Sequence, residues 1–208
     1  MNAFDGYELR TTSVRSASAF YADVLGFDVR ESGEVAQLFV GRRAFGAITR
    51  LPERAAALGA PSHWLGHVGV VDHARVCARM LASGGAPLGP PRHEADGSRL
   101  DVFRDPMGSV VALASVHREP TPEAVAWHEL HTGDLERAFA VYASLFGWVK
   151  VLDEDLGLSE GPYRTFAWTE GAHAIGAMVA TAVSPDVHPH WLFSVSYTHL
   201  TLPTSDLV

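Results

Sequence analysis

The chain is poor in several things on which other proteins depend. One cysteine, Cys77, in 208 residues excludes an internal disulfide framework and any cluster built from several thiolates. One lysine, Lys150, stands against fifteen arginines, and these are scattered rather than grouped. With 16 basic and 24 acidic residues the formal charge is −8, which argues against nucleic acid or an anionic membrane surface as partner. No apolar run approaches the roughly 20 residues that span a bilayer. The start, MNAFDGYELR, has no basic stretch leading into an apolar one, so the cytoplasm is the expected location. The nucleophile elbow G-x-S-x-G, the phosphate loop G-x-x-x-x-G-K-[ST] and the dinucleotide fingerprint G-x-G-x-x-G are absent as well. What the chain does have is 47% apolar residues, enough for a sizeable core.

It also repeats itself. YELRTTSVRSASAFYADVLGF (7–27) and HELHTGDLERAFAVYASLFGW (128–148) align at a constant offset of 121 without a gap, with identity at 8 of 21 positions, Glu8/Glu129, Tyr21/Tyr142 and Gly26/Gly147 among them. A weaker copy lies 59 residues after the first, placing Asp72 on Ser13 and Gly85 on Gly26. Such spacing implies supersecondary units that cannot bury their apolar faces alone and must pack on siblings.

Each unit reads as a short strand, then Ser13, Asp72 or Asp134 as a helix N-cap, then about three helical turns. In the third unit Leu135, Ala138, Phe139, Tyr142 and Leu145 form one apolar stripe, and Gly147 is placed to end the helix. Runs such as FDVRES, VAQLFVG, AFGAITRL, RLDVFRD, SVVALASV, YRTFAWTE and AIGAMVA follow as strands. The fold class is therefore α+β, with tandem βαβββ units and largely antiparallel, curled mixed sheets.

A complete domain is expected over 1–117, from units at 6–50 and 63–116, with 118–123 as linker and a second domain over 124–194. PHWL at 189–192 echoes PSHWL at 61–65 and should open a fourth unit. SVSYTHLTLPTSDLV follows instead, and its core resembles translated adapter read-through. The expectation is a truncated second domain, a non-native tail over 195–208, and a homodimer or self-association through the incomplete half.

The order of these units, the ending DVFRDPMGSVVALAS, and the phrases WHELHTGDLERAFAVYASLFGW and SHWLGHVGVVDHA resemble the vicinal oxygen chelate superfamily, which includes glyoxalase I, extradiol dioxygenases and bleomycin-resistance proteins. The resemblance covers about residues 6–194 and implies sheets curled around a shared cleft. In metal-dependent members it further implies a His or Glu on the first strand of each unit and a Glu on the last. Those positions here are Gly6, Leu65, Trp127 and Ala112, none of which can ligate a divalent cation, so no cofactor is expected.

Two residues further along a pleated strand a side chain returns to the same face. This puts Glu8, His67 and Glu129 in the cleft, with Arg10 and His131 beyond them, and Trp127 as a surface for stacking a planar ligand. Glu8 and His67, from paired units, should meet. Two functions follow. One is metal-independent binding of a small molecule. The other is a glyoxalase-like lyase, isomerase or hydroxylase in which Glu8 and His67, or Glu129 and His131, transfer protons or hold a divalent metal in an unusual register. A structural Glu–His–Arg network is the competing explanation for the first pair. His63 and His190 are expected to serve the repeated strand entry, and His128 and Trp148 the core.

Overall fold

The computed structural model describes residues 1–93, 97–115, 124–157, 162–181 and 187–195. Unit one runs β1 (Ala3–Thr11), α1 (Val14–Leu25), β2 (Asp28–Ser32), β3 (Val35–Val40) and β4 (Arg43–Arg50), and a short helix α2 (Glu53–Ala57) occupies the connection to unit two. Unit two is β5 (His63–Gly69), α3 (His73–Ala82), β6 (Ala86–Pro87), β7 (Arg92–His93), β8 (Arg99–Arg104) and β9 (Val110–Ala114). Unit three is β10 (Val125–His131), α4 (Leu135–Phe146), β11 (Val149–Glu154), β12 (Tyr163–Ala167) and β13 (Gly176–Val179), after which comes β14 (His190–Val195). The proposed linker, 118–123, and the tail beyond Val195 lie outside the described residues.

The helices begin where the sequence puts them. Ser13 accepts the Ser16 amide at 3.3 Å, Asp72 that of Arg75 at 3.1 Å and Asp134 that of Arg137 at 3.0 Å. Each bond satisfies one of the amides that a first turn leaves without a partner. Gly26 and Gly147 close α1 and α4 with φ of 68° and 78°, a region that glycine enters without the steric cost of a Cβ. Of the expected stripe on α4, Leu135, Ala138, Tyr142 and Leu145 are buried, while Phe139 packs at the margin.

Two sheets result. In the first the order is β2-β3-β4-β1-β5-β9-β8-β6, with β7 paired to β8; in the second it is β11-β12-β13-β10-β14. Within each unit the first strand runs parallel to the last, since a helix returns the chain between them, and β1 pairs antiparallel with β5 across the seam of units one and two. β14, which begins within the echo of PSHWL at 189–192, stands antiparallel on β10 as β5 stands on β1.

The two sheets pack back to back through aromatic side chains. Phe4, Tyr7, His128, Trp148, Trp168, Trp191 and Phe193 form one continuous set of ring contacts. Tyr7 and His128 occupy equivalent positions of the repeat and meet directly, Oη to Nε2, at 2.7 Å. The His128 Nδ1 lies 2.8 Å from the Ile175 carbonyl, so Nδ1 carries the proton and Nε2 accepts from the Tyr7 hydroxyl. Burial pushes His128 down to about 4 against the pull of that carbonyl, and burial with the nearby Asp5 charge raises Tyr7, which keeps both neutral. His128 is thus a satisfied core residue, as expected, although it faces the other sheet rather than a helix. Trp148 is core as well, its indole N–H donating to the Asn2 carbonyl at 2.8 Å.

Candidate functional site

In the antiparallel pairing of β1 with β5, Gly6 stands opposite His67, Glu8 opposite Leu65 and Arg10 opposite His63. All six therefore belong to one face of the sheet, the concave one, and side chains from units one and two meet there. Nε2 of His67 lies 3.5 Å from Oε2 of Glu8, close enough for an ion pair when the imidazole is protonated, and makes no hydrogen bond. The expected meeting of carboxylate and imidazole is thus present.

Glu8 has stronger partners than His67. Arg92 grips it with two parallel bonds, Nη1 to Oε1 and Nη2 to Oε2, both 3.0 Å. The Thr49 hydroxyl donates to Oε1 at 2.7 Å and Arg10 Nη2 to Oε2 at 3.2 Å. Burial at 2% exposure would raise the acid's pKa, but the nearby His67 ring, the two bonds from Arg92 and the charges of Arg10 and Arg92 outweigh it and hold Glu8 well below the usual carboxylate range. At neutral pH it is a fixed anion and neither a proton donor nor a strong base. Arg92, on the two-residue β7 in an irregular part of unit two, has no periodic signal around it in the sequence.

Around this clamp is a cleft of about 720 Å³. Gly6, Glu8, Thr49, His67, Arg92 and His93 give it polar groups, and Val35, Phe45, Leu100 and Ala114 apolar walls. Leu65 and Ala112 are buried with Leu100 and Ala114 in a separate apolar cluster. Strand register extends the pattern, since Ala47, Ala112 and Ala177 pair with Glu8, His67 and Glu129 in the three units. The side chains of Leu65 and Ala112 offer no donor atom to a cation.

On the outer face of the second sheet the expected residues form a different chain of contacts. Trp127 Nε1 donates to the Tyr163 hydroxyl at 2.9 Å, which donates to Glu129 Oε2 at 2.5 Å. The other oxygen of Glu129 is 2.8 Å from His131 Nε2, and His131 Nδ1 is 2.6 Å from Thr181 Oγ1. The His190 ring stacks on that of His131, centroids 4.7 Å apart and 3° from parallel. The His131 bond, assisted by Tyr163 and opposed by burial, lowers the Glu129 pKa. Trp127 is tied edge-on to Tyr163 and is half-buried, and Tyr163 was not among the residues singled out by sequence. His63 and His190 each place Nδ1 against a carbonyl two residues back, Pro61 at 2.9 Å and His188 at 2.8 Å, which is the structural role expected of the repeated entry.

Comparison with known proteins agrees with this architecture. The profile of the glyoxalase/bleomycin resistance protein/dioxygenase superfamily matches residues 3–113. No curated protein matches the sequence. Among solved structures, the Mn(II)-bound glyoxalase from Novosphingobium aromaticivorans superposes with a TM-score of 0.62 at 14% identity, over 97% of this chain and 68% of that one. BphC, a halotolerant catechol dioxygenase, gives 0.62 at 14% identity over 85% of this chain and 64% of its own. A homoprotocatechuate 2,3-dioxygenase from B. fuscum gives 0.59 at 18% over 85% and 52%. The chain thus spans about half to two thirds of these relatives' lengths, and at such identities they show the fold alone. With the profile covering more than half of its residues and the paired βαβββ units in place, the chain belongs to the glyoxalase/bleomycin resistance protein/dioxygenase superfamily.

Proposed function

We propose that the cleft of units one and two binds a small organic molecule without a metal at the family's usual position. The observation that carries this reading is the state of Glu8: two guanidiniums and a hydroxyl make two hydrogen bonds to each of its oxygens and so fill their lone pairs, and it positions Arg92 rather than ligating a cation or removing a proton. Arg92 lies at the cleft wall with its side chain 41% exposed, and His67 and His93 add further polar groups beside it. With Phe45, Val35 and Leu100 opposite, the cleft suits a molecule with acceptor oxygens at one end and an apolar body at the other. The bleomycin-resistance kind of activity, sequestration rather than turnover, is the nearest category in this superfamily.

A second reading rests on the other sheet. Tyr163 hydrogen-bonds to Glu129 and Thr181 to His131, and between them Glu129 and His131 stand 2.8 Å apart as an ion-pair contact, an arrangement close enough to exchange a proton. It would serve a lyase, isomerase or hydroxylase.

One experiment separates the two. A panel of small aromatic and aliphatic acids, carbonyl compounds and amines is screened by thermal shift against the wild type, Arg92→Ala and Glu129→Gln, since a ligand that prefers the folded state raises its melting temperature. The first reading expects oxygenated compounds to stabilise the wild type and Glu129→Gln but not Arg92→Ala. Stabilisation abolished by Glu129→Gln and kept in Arg92→Ala would transfer the function to the second sheet, and a flat response across the panel would overturn both.

A further inference from the structure

On the helix-covered face of the first sheet, opposite the cleft, three side chains with metal-binding atoms converge. His73 and Cys77 stand one turn apart near the start of α3, and Asp101 rises from β8 beneath them. Their donor atoms lie within 4.8 Å of one another. His73 Nε2 is 3.2 Å from Asp101 Oδ2 and 3.7 Å from Cys77 Sγ, and the same nitrogen lies 3.2 Å from the carbonyl of Leu113. A single ring nitrogen thus faces carboxylate, thiol and carbonyl together, more partners than one N–H can serve well.

The two separations from His73 Nε2 are close to those of a coordination shell, although Cys77 Sγ lies as near to Nδ1, at 3.8 Å, and would turn toward Nε2 on binding. A tetrahedral zinc, with bonds of about 2.0 Å to nitrogen, 2.1 Å to oxygen and 2.3 Å to sulfur, sets its N and O ligands about 3.4 Å apart and its N and S ligands about 3.6 Å apart. Arg99 holds both oxygens of Asp101 from the solvent side, Nε to Oδ2 at 2.7 Å and Nη2 to Oδ1 at 3.0 Å, which fixes the carboxylate's direction as outer hydrogen-bond donors do for metal-bound carboxylates.

The repeat supplies a second, independent argument. Unit one has Val14 and Ser18 at the equivalent helix positions, and Ala36 is the strand residue paired with Ile48 as Asp101 is with Leu113. Unit three has Leu135, Phe139 and Arg164. Neither sibling places an imidazole, thiol or carboxylate there, so the fold does not require this trio.

We propose that His73, Cys77 and Asp101 form a site for a divalent cation of the zinc class, separate from the cleft. Thiolate, imidazole and carboxylate together select a borderline-soft ion over magnesium or calcium, and three protein ligands leave one position for water or the Leu113 carbonyl.

Cobalt(II) titration of the full chain tests it, because Cys77 is the chain's single thiol and any thiolate-to-cobalt band reports on this site alone. The expected result is a near-ultraviolet charge-transfer band with tetrahedral visible bands, saturating at one equivalent, displaced by zinc and absent from Cys77→Ser and His73→Ala. The absence of a charge-transfer band in the wild type would overturn the site. Should the variants fail to fold, the wild type alone decides. One equivalent of zinc should slow alkylation of Cys77 about tenfold or more, because a metal-bound sulfur is no longer a free nucleophile, and a chelator should reverse it. An alkylation rate indifferent to zinc would also overturn the site. Cobalt taken up without a charge-transfer band, to the same extent in Cys77→Ser as in the wild type, would place the cation elsewhere and overturn the site.

Discussion

Glu8 shows what a buried charge needs in order to stay buried. A carboxylate removed from water must be compensated by opposite charge and by donors for its lone pairs, and here Arg92, Arg10 and Thr49 supply both. Glu8→Gln leaves two guanidiniums without this partner and should cost about 3 kcal/mol, read from chemical denaturation at neutral pH. It should also change the response to acid. Below the ordinary glutamate value of 4.5 the unfolded chain binds a proton at Glu8 that the folded chain refuses, so this stabilisation is complete above that pH and is lost progressively as pH falls toward the depressed folded value. Wild type and variant should therefore converge in stability on acidification; parallel curves would show that the clamp is not an ion pair. Parity along β1 and β5 placed Glu8 and His67 together from the sequence alone, because a strand alternates faces whatever its surroundings. Arg92 was out of reach of that reasoning: it sits on a two-residue strand within a connection where no period operates, and only the folded chain brings it 84 positions back to Glu8.

At the scale of elements the repeat is most informative where it is broken. The caps Ser13, Asp72 and Asp134 recur because each helix must start at the same place over its sheet, and Gly26 and Gly147 end α1 and α4 alike, while α3 ends on Ser83 with the left-handed Gly84 after it. Asp134→Ala removes the acceptor for the Arg137 amide and should destabilise the fold by about 1 kcal/mol, seen as a lower denaturation midpoint with an unchanged slope. An unaltered midpoint would mean that packing alone defines the start of α4. A pair of hydrogen bonds is shared by the siblings as well: Trp64 donates to Tyr21 at 2.8 Å and Trp191 to Tyr142 at 3.0 Å, each joining one unit's first strand to its neighbour's helix. In the second half this pair gains a further partner, since the Tyr142 hydroxyl donates to Asp105 Oδ2 at 2.8 Å in the turn of unit two. Asp105 also accepts amides from Met107, Gly108 and Ser109, so one carboxylate shapes its own turn and ties the two halves.

For the whole molecule the contact between the two sheets is decisive. It is built from aromatic rings and needs a backbone without a side chain at Gly66, where a Cβ would lie 2.5 Å from the ring of Phe4 and 2.6 Å from that of Phe193. Gly66→Ala should therefore cost about 1–3 kcal/mol by overpacking and weaken the near-ultraviolet circular dichroism of the tryptophans, while Gly26→Ala, away from the interface, should leave that spectrum intact. An unchanged spectrum and melting temperature in Gly66→Ala would show that the halves do not rely on this contact. Among the described residues no helix is long and apolar enough to cross a membrane.

The sequence by itself determined the unit, its three caps, the strand faces and the side on which Glu8, His67, Glu129 and His131 lie, because these follow from short-range periodicities of helix and strand. It also carries Gly6, Leu65, Trp127 and Ala112 where the resemblance implies metal ligands. Only the tertiary structure decided what those residues meet: that Arg92 and Thr49 close on Glu8, that Tyr163 joins Glu129, that Tyr7 reaches across to its own repeat partner His128, and that His73 and Cys77 come down on Asp101. Each of these joins residues from different elements, and a pairing set by how helices and sheets pack leaves no period along the chain.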